Sequence, residues 1–184
     1  LPPFHLPGKT ILDSLRNRSY FDINNHFLSF HDEVEFCMIP GQGRLKQEHK
    51  SKPIGGYSVL KTSAVYGANA GGKSNLVKAI AFLKYMVLQG TRPDSLIDYH
   101  KFLLSKEARE DNSKLEIEFQ SENKNYDYGI EFNNEGIVNE WLYEFTKRSE
   151  NLIYERKGNQ FTLDGLLKRN KSDESRQYLQ FFAQ

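Results

Sequence analysis

"VYGANAGGKSNLVKAIAF", from Val65 to Phe82, is the stretch on which the fold turns. Gly67, four further residues and then Gly72-Lys73-Ser74 have the spacing of a phosphate loop. Each position has a physical task. Gly67 ends a strand and lets the chain turn, while Gly71 and Gly72 lack Cβ atoms, so backbone N–H groups can wrap an anion. A helix starting near Lys73 adds first-turn N–H groups and a positive dipole end. Lys73 brings a full charge to the β- and γ-phosphates, and the Ser74 hydroxyl can ligate Mg²⁺. At ordinary residue frequencies, a chain of this length meets four such fixed positions by chance about once in a hundred. A simple glycine turn leaves Lys73 and Ser74 unexplained. The expected nucleotide-binding set is therefore Gly67, Asn69, Ala70, Gly71, Gly72, Lys73, Ser74 and Asn75. Within it Lys73 is the catalytic charge and Ser74 the metal ligand.

The flanks supply the context that this motif requires. "YSVLKTSAVYG" before it reads as a buried strand. After it, Ser74 to Gln89 reads as a helix, with Leu76, Ala79, Ile80, Leu83 and Val87 at helical spacing and Gly90 as the stop. Upstream, "SYFDINNHFLSF" and "DEVEFCMI" read as two strands, with Val34, Phe36 and Met38 alternating against Glu33, Glu35 and Cys37. "PGQGRLKQEHKSKPIGG" between them and the loop is a basic, glycine- and proline-rich connection. Its Arg44, Lys46, Lys50 and Lys52 suit a solvated loop or contacts to phosphates. Residues 91–111 mix loop with a short element.

From Asn112 the pattern is a β-meander: "KLEIEF", "YDYGIEF", "IVNEWLYEF" and "LIYERKGNQFTL", with turns at "SENKN", "NNEG", "TKRSEN" and "KGN". Tyr126, Tyr128, Ile130 and Phe132 share one face, and the acids of "LEIEF" and "YGIEF" are expected in solvent. "DESRQYLQFFAQ" reads as a helix carrying Tyr178, Leu179 and Phe182. Residues 1–19 read as an extension outside the core. Their "PGKT" only imitates a phosphate loop, because Pro3 stands where the first glycine is required.

Composition bounds the remaining possibilities. The 184 residues suit one domain, and a net charge of +1 gives no whole-chain argument for nucleic acid. With 13 Phe and 10 Tyr, the aromatic content favours strands. The single cysteine, Cys37, excludes an intrachain disulfide and fits a reducing cytoplasm; its apolar run predicts a buried thiol. No apolar run is long enough to span a membrane, and the N-terminus is no secretory signal. No Cys/His cluster has zinc spacing. The scattered His5, His26, His31, His49 and His100 read as structural or surface residues.

"GANAGGKSNLVKAI" resembles the "GxNGSGKSN" loops of ABC-type ATPases, including the SMC chromosome proteins and their break-repair relatives. Asn75 follows the serine, as in those families. "HFLSFHDEVEF" (His26 to Phe36) looks like the "NFRSFxDxxxF" opening motif of the same class. Together with "SAVYGANAGGKSNLVKAIAFLK" it is most similar to bacterial AAA-type ATPases of the OLD-like group (overcoming lysogenization defect). Many of that group act in phage defence or beside nucleases and toxins. The resemblance runs from about Tyr20 to Leu163. It has two departures: Leu28 stands where many relatives have Arg, and Gly71 replaces the commoner Ser.

The resemblance implies an α/β P-loop NTPase: the N-terminal lobe of an ABC-type head over residues 20–184, with a β-rich insertion at about 112–164. It implies ATP and Mg²⁺ as ligands, a head-to-head homodimer, a nuclease or toxin effector, a cytoplasmic setting and no membrane. In the family, a hydrophobic strand ending in Asp-Glu and a Ser-x-Gly signature complete the site. Neither follows Ser74: "SLIDYH" offers only three residues before Asp98. The chain is therefore expected to be the N-terminal part of a longer ATPase, binding ATP through half a site with little hydrolysis. Two rivals stand beside this reading. One is a P-loop small-molecule kinase, which would need an arginine-bearing lid; Arg92, Arg109, Arg148, Arg156 and Arg169 show no lid-like grouping. The other is a nucleotide-gated scaffold binding DNA or protein through Arg44 to Lys52.

Overall fold

Strands form where apolar residues alternate, and that alternation dominates this chain. The computed structural model describes residues 20–24, 27–30, 33–41, 43, 46–90, 96–100 and 111–163. The extension, Arg44, residues 91–95 and 101–110, and the C-terminal helix expected around Tyr178 lie outside them. Among the described residues seven strands make one sheet: β1 (Tyr20–Asn24), β2 (Val34–Cys37), β3 (Ser113–Ser121), β4 (Lys124–Phe132), β5 (Ile137–Phe145), β6 (Glu150–Lys157) and β7 (Gln160–Leu163). The spatial order is β2-β1-β3-β4-β5-β6-β7, and every pairing is antiparallel. The expected meander is present with its turns in place. At the tip of the first hairpin Glu122 and Asn123 both have positive φ, 49° and 61°, the twist that two-residue hairpin turns favour.

The long connection from β2 to β3 carries a 3-10 turn (Gln47–His49), the loop and the one α-helix among the described residues, α1 (Lys73–Gln89). Gly90 closes α1 at φ +67°, with its N–H donating to the Met86 carbonyl at 2.9 Å. The helix covers one face of the sheet. Ala79, Leu83 and Met86 join Phe21, Ile23, Leu115, Ile130 and Phe132 in one core. Phe82 packs its ring against Phe27, Tyr99 and Phe132, with centroids 5.2, 6.2 and 5.3 Å away.

Several expectations change. No strand precedes the phosphate loop: residues 57–67 carry only isolated bridges, at Tyr57 and Leu60. Val65 is 47% and Tyr66 89% exposed. A buried parallel strand is flanked by neighbouring strands; here Leu60 makes one antiparallel bridge to Lys50, and none of the described strands pairs with residues 61–67. The parallel core expected of an α/β head is likewise not among the described strands. The buried face of α1 is rotated from the expected one, since Ile80 and Val87 are exposed while Met86 and Phe82 pack inward. Cys37 is exposed, because the strict alternation of β2 puts it on the side of Glu35 rather than Phe36.

The acids of β3 and β4 do not simply face solvent. The sheet's second face carries Asp22, Glu116 and Asp127, all buried, with Glu116 accepting from Lys114 Nζ at 2.6 Å. Trp141 roofs that face. It stands opposite Gly129, and the Lys114 ammonium lies 5.1 Å from its ring centroid.

Candidate functional site

The loop between Gly67 and Ser74 closes on itself. Gly71 N–H donates to the Ala68 carbonyl at 3.1 Å, and the Lys73 ammonium donates to the Gly67 and Ala68 carbonyls at 2.8 and 2.6 Å. Ala70 turns the chain at φ +64° and Gly72 at φ +83°. The two later glycines have separate reasons. A Cβ on Gly71 would lie 3.0 Å from the Ala68 oxygen, and one on Gly72 would meet the Phe30 ring at 3.3 Å in a conformation that side chains disfavour. At Gly67 an added Cβ would meet only Lys73 Cδ, at 4.0 Å. The described geometry places no steric demand for glycine there.

Gly72 is the N-cap of α1, and it has no side chain to accept from the first-turn N–H groups. Asn75 N–H turns back to the Gly72 carbonyl at 2.9 Å, so the N–H groups of Lys73 and Ser74 are the ones without an acceptor inside the helix. With the helix dipole, they form an anion-seeking end. Lys73 and Ser74 are the first two helical residues, so the structure brings Gly67, Asn69, Ala70, Gly71, Gly72, Lys73, Ser74 and Asn75 to one exposed helix start. A polyphosphate fits this donor set. For Mg²⁺ the exposed Ser74 hydroxyl is the one expected ligand of this chain. No group of three or more His, Cys, Asp or Glu that could hold a metal occurs among the described residues. The ion would take its remaining positions from phosphate oxygens and water.

The other sequence candidates do not join this site. Asp98 is exposed and belongs to no strand. Lys50 of the basic connection spends its ammonium on the Gly41 and Gly43 carbonyls, each at 3.2 Å, while Lys46 and Lys52 are exposed. Of the arginines, Arg148 sits in the β5–β6 turn. Arg156 on β6 donates to the Gly158 carbonyl and lies 5.6 Å from the Phe161 ring. Arg92, Arg109 and Arg169 lie outside the described residues. His49 and His100 are exposed.

Sequence reasoning missed the turn from Phe27 to Phe30, which leans on the loop. Ser29 Oγ accepts from Asn75 Nδ2 at 2.7 Å. The signal for it was the co-occurrence of "HFLSF" with the loop, a family pattern that carries no distance.

Compared with known proteins, residues 63–175 match a family model described as "AAA domain, putative AbiEii toxin, Type IV TA system". The matched span covers more than half of the chain, including the loop, α1 and the meander from β3 to β7. No curated protein and no solved structure matches. No helix among the described residues is long and apolar enough to cross a membrane.

Proposed function

The chain belongs to this family of AAA domains, with the P-loop NTPase fold and the nucleotide-binding, ATPase-like function that membership carries, and on that premise we propose that residues 67–75 bind ATP with Mg²⁺. The observation that supports it is the helix start itself. Lys73 and Ser74 open α1 behind a glycine N-cap that leaves their own N–H groups to an incoming anion. In the bound state Lys73 would exchange its two carbonyl contacts for phosphate oxygens. Asn69, Ala70 and Gly72 would contribute backbone donors, Gly71 would join them on releasing the Ala68 carbonyl, and Ser74 would ligate the metal.

The finer reading is the N-terminal lobe of an ABC-type, OLD-like head. Two features favour it over a complete engine. Val65 and Tyr66, just before the loop, are apolar yet exposed, and α1 shows solvent a second apolar side, Val77, Tyr85, Val87 and Leu88. Both suit burial against strands and a catalytic carboxylate from outside the described residues. Dimerisation around ATP, control of a toxin or nuclease effector, and a part in anti-phage defence belong to the same proposal. The family description, which names a type IV toxin–antitoxin system, favours a toxin as effector.

The test is a titration of the chain with a fluorescent ATP analogue in Mg²⁺, alongside a phosphate-release assay. Saturable binding displaced by ATP and abolished by Lys73→Ala, with phosphate release at background, is the expected result. Binding indifferent to Lys73→Ala would remove the phosphate-loop assignment. Robust turnover abolished by that substitution would instead overturn the half-site reading.

A further inference from the structure

The Phe27–Phe30 turn is distant from the phosphate loop in sequence but touches it at two points. One is the Asn75–Ser29 hydrogen bond at 2.7 Å. The other is the Phe30 ring, whose Cε1 would lie 3.3 Å from a Cβ on Gly72. The turn is closed by Phe30 N–H donating to the Phe27 carbonyl at 3.0 Å. Its corner, Leu28, sits at φ +54°, a left-handed conformation that strains a branched side chain and persists only when the surroundings hold it. Two anchors do so. Leu28 N–H donates to the His100 carbonyl at 2.9 Å, and the buried Phe27 ring stacks on Tyr99 at 5.9 Å.

We propose that Ser29 is a positioning residue for the nucleotide site. An asparagine side chain in the first turn of a helix readily hydrogen-bonds to nearby backbone groups. Loose, Asn75 would occupy donors that a phosphate needs. The Ser29 hydroxyl holds the Asn75 amide aside, and the Phe30 ring braces Gly72 from the same direction. The N-terminal end of α1 therefore stays open toward an anion, and the anchored turn ties its geometry to the sheet. The inference rests on the nucleotide-binding reading above and adds a residue that does not itself touch phosphate.

The experiment uses the whole chain and the fluorescent ATP analogue, with Ser29→Ala, Asn75→Ala, the double variant and Ser29→Thr, each also followed by thermal unfolding. Loss of one such hydrogen bond should weaken binding about three- to tenfold in Ser29→Ala. Removing Ser29 should have no further effect once Asn75 is alanine, and Ser29→Thr should bind like wild type. The Tm should stay put, since the pair is exposed. Wild-type affinity in Ser29→Ala, or additive losses in the double variant, overturns the proposal while the nucleotide reading stands. A lowered Tm with no rescue by threonine assigns Ser29 a structural part and also overturns it. Absence of binding by wild type, or binding untouched by Lys73→Ala, defeats the nucleotide reading instead.

Discussion

At the scale of the residue, the most constrained position away from the loop is Gly129. A Cβ there would stand 2.0 Å from Trp141 Cζ2 and 2.3 Å from Cε2, so the indole and this glycine are one packing unit. Gly129→Ala must push a rigid ring off the sheet and away from the Lys114 ammonium. Overpacking of this kind costs about 1–3 kcal/mol. Urea denaturation should register that loss, and in a Trp141→Ala background the same substitution should cost far less, the non-additivity expected of touching groups. The alternation of "YDYGIEF" assigns Tyr126, Tyr128, Ile130 and Phe132 to one face and gives no reason for the glycine; only the register opposite Trp141 does.

At the scale of the element, α1 was legible in extent and misjudged in orientation. Its limits, Lys73 to Gln89, follow from the glycines on either side. Its buried face does not follow from periodicity, because apolar residues occur nearly all the way round, and such a helix has no single obvious inner side. Packing against Phe27, Tyr99 and Phe132 selects the Ala79, Phe82, Leu83 and Met86 side. Leu83→Ala should therefore destabilise the chain by about 2–5 kcal/mol. Leu88→Ala, at a position 67% exposed, should stay within about 0.5 kcal/mol. Chemical denaturation of the two variants side by side checks the orientation directly. The segment before the loop fails for a related reason: "SAVYG" has the composition of a buried parallel strand, but composition cannot provide the neighbours that make it one.

At the scale of the whole molecule, the sheet's second face makes stability depend on pH. Burial, then a hydrogen bond and repulsion from Glu33, with Glu116 adding to it and Lys114 opposing, push the Asp22 carboxyl up from 3.8 to about 7. The folded chain thus holds a proton there that the unfolded chain releases near pH 4. The corresponding stability is fully present below pH 4, falls as pH rises and is gone above about 7. Asp22→Asn, which never ionises, should lack this component. Thermal unfolding between pH 4 and 8 should show wild type losing ground to the variant up to about pH 7 and running parallel beyond. The same scale separates what was readable from what was not. The meander, its turns, the extent of α1 and the phosphate-loop spacing were legible from the residues alone, because each depends on neighbours close together in the chain. Only the tertiary structure decided which side of α1 is buried, that Glu116 and Asp22 lie in the interior, and that Ser29 holds Asn75. Those outcomes depend on contacts between residues 17 to 94 positions apart, and local pattern carries no record of such distances.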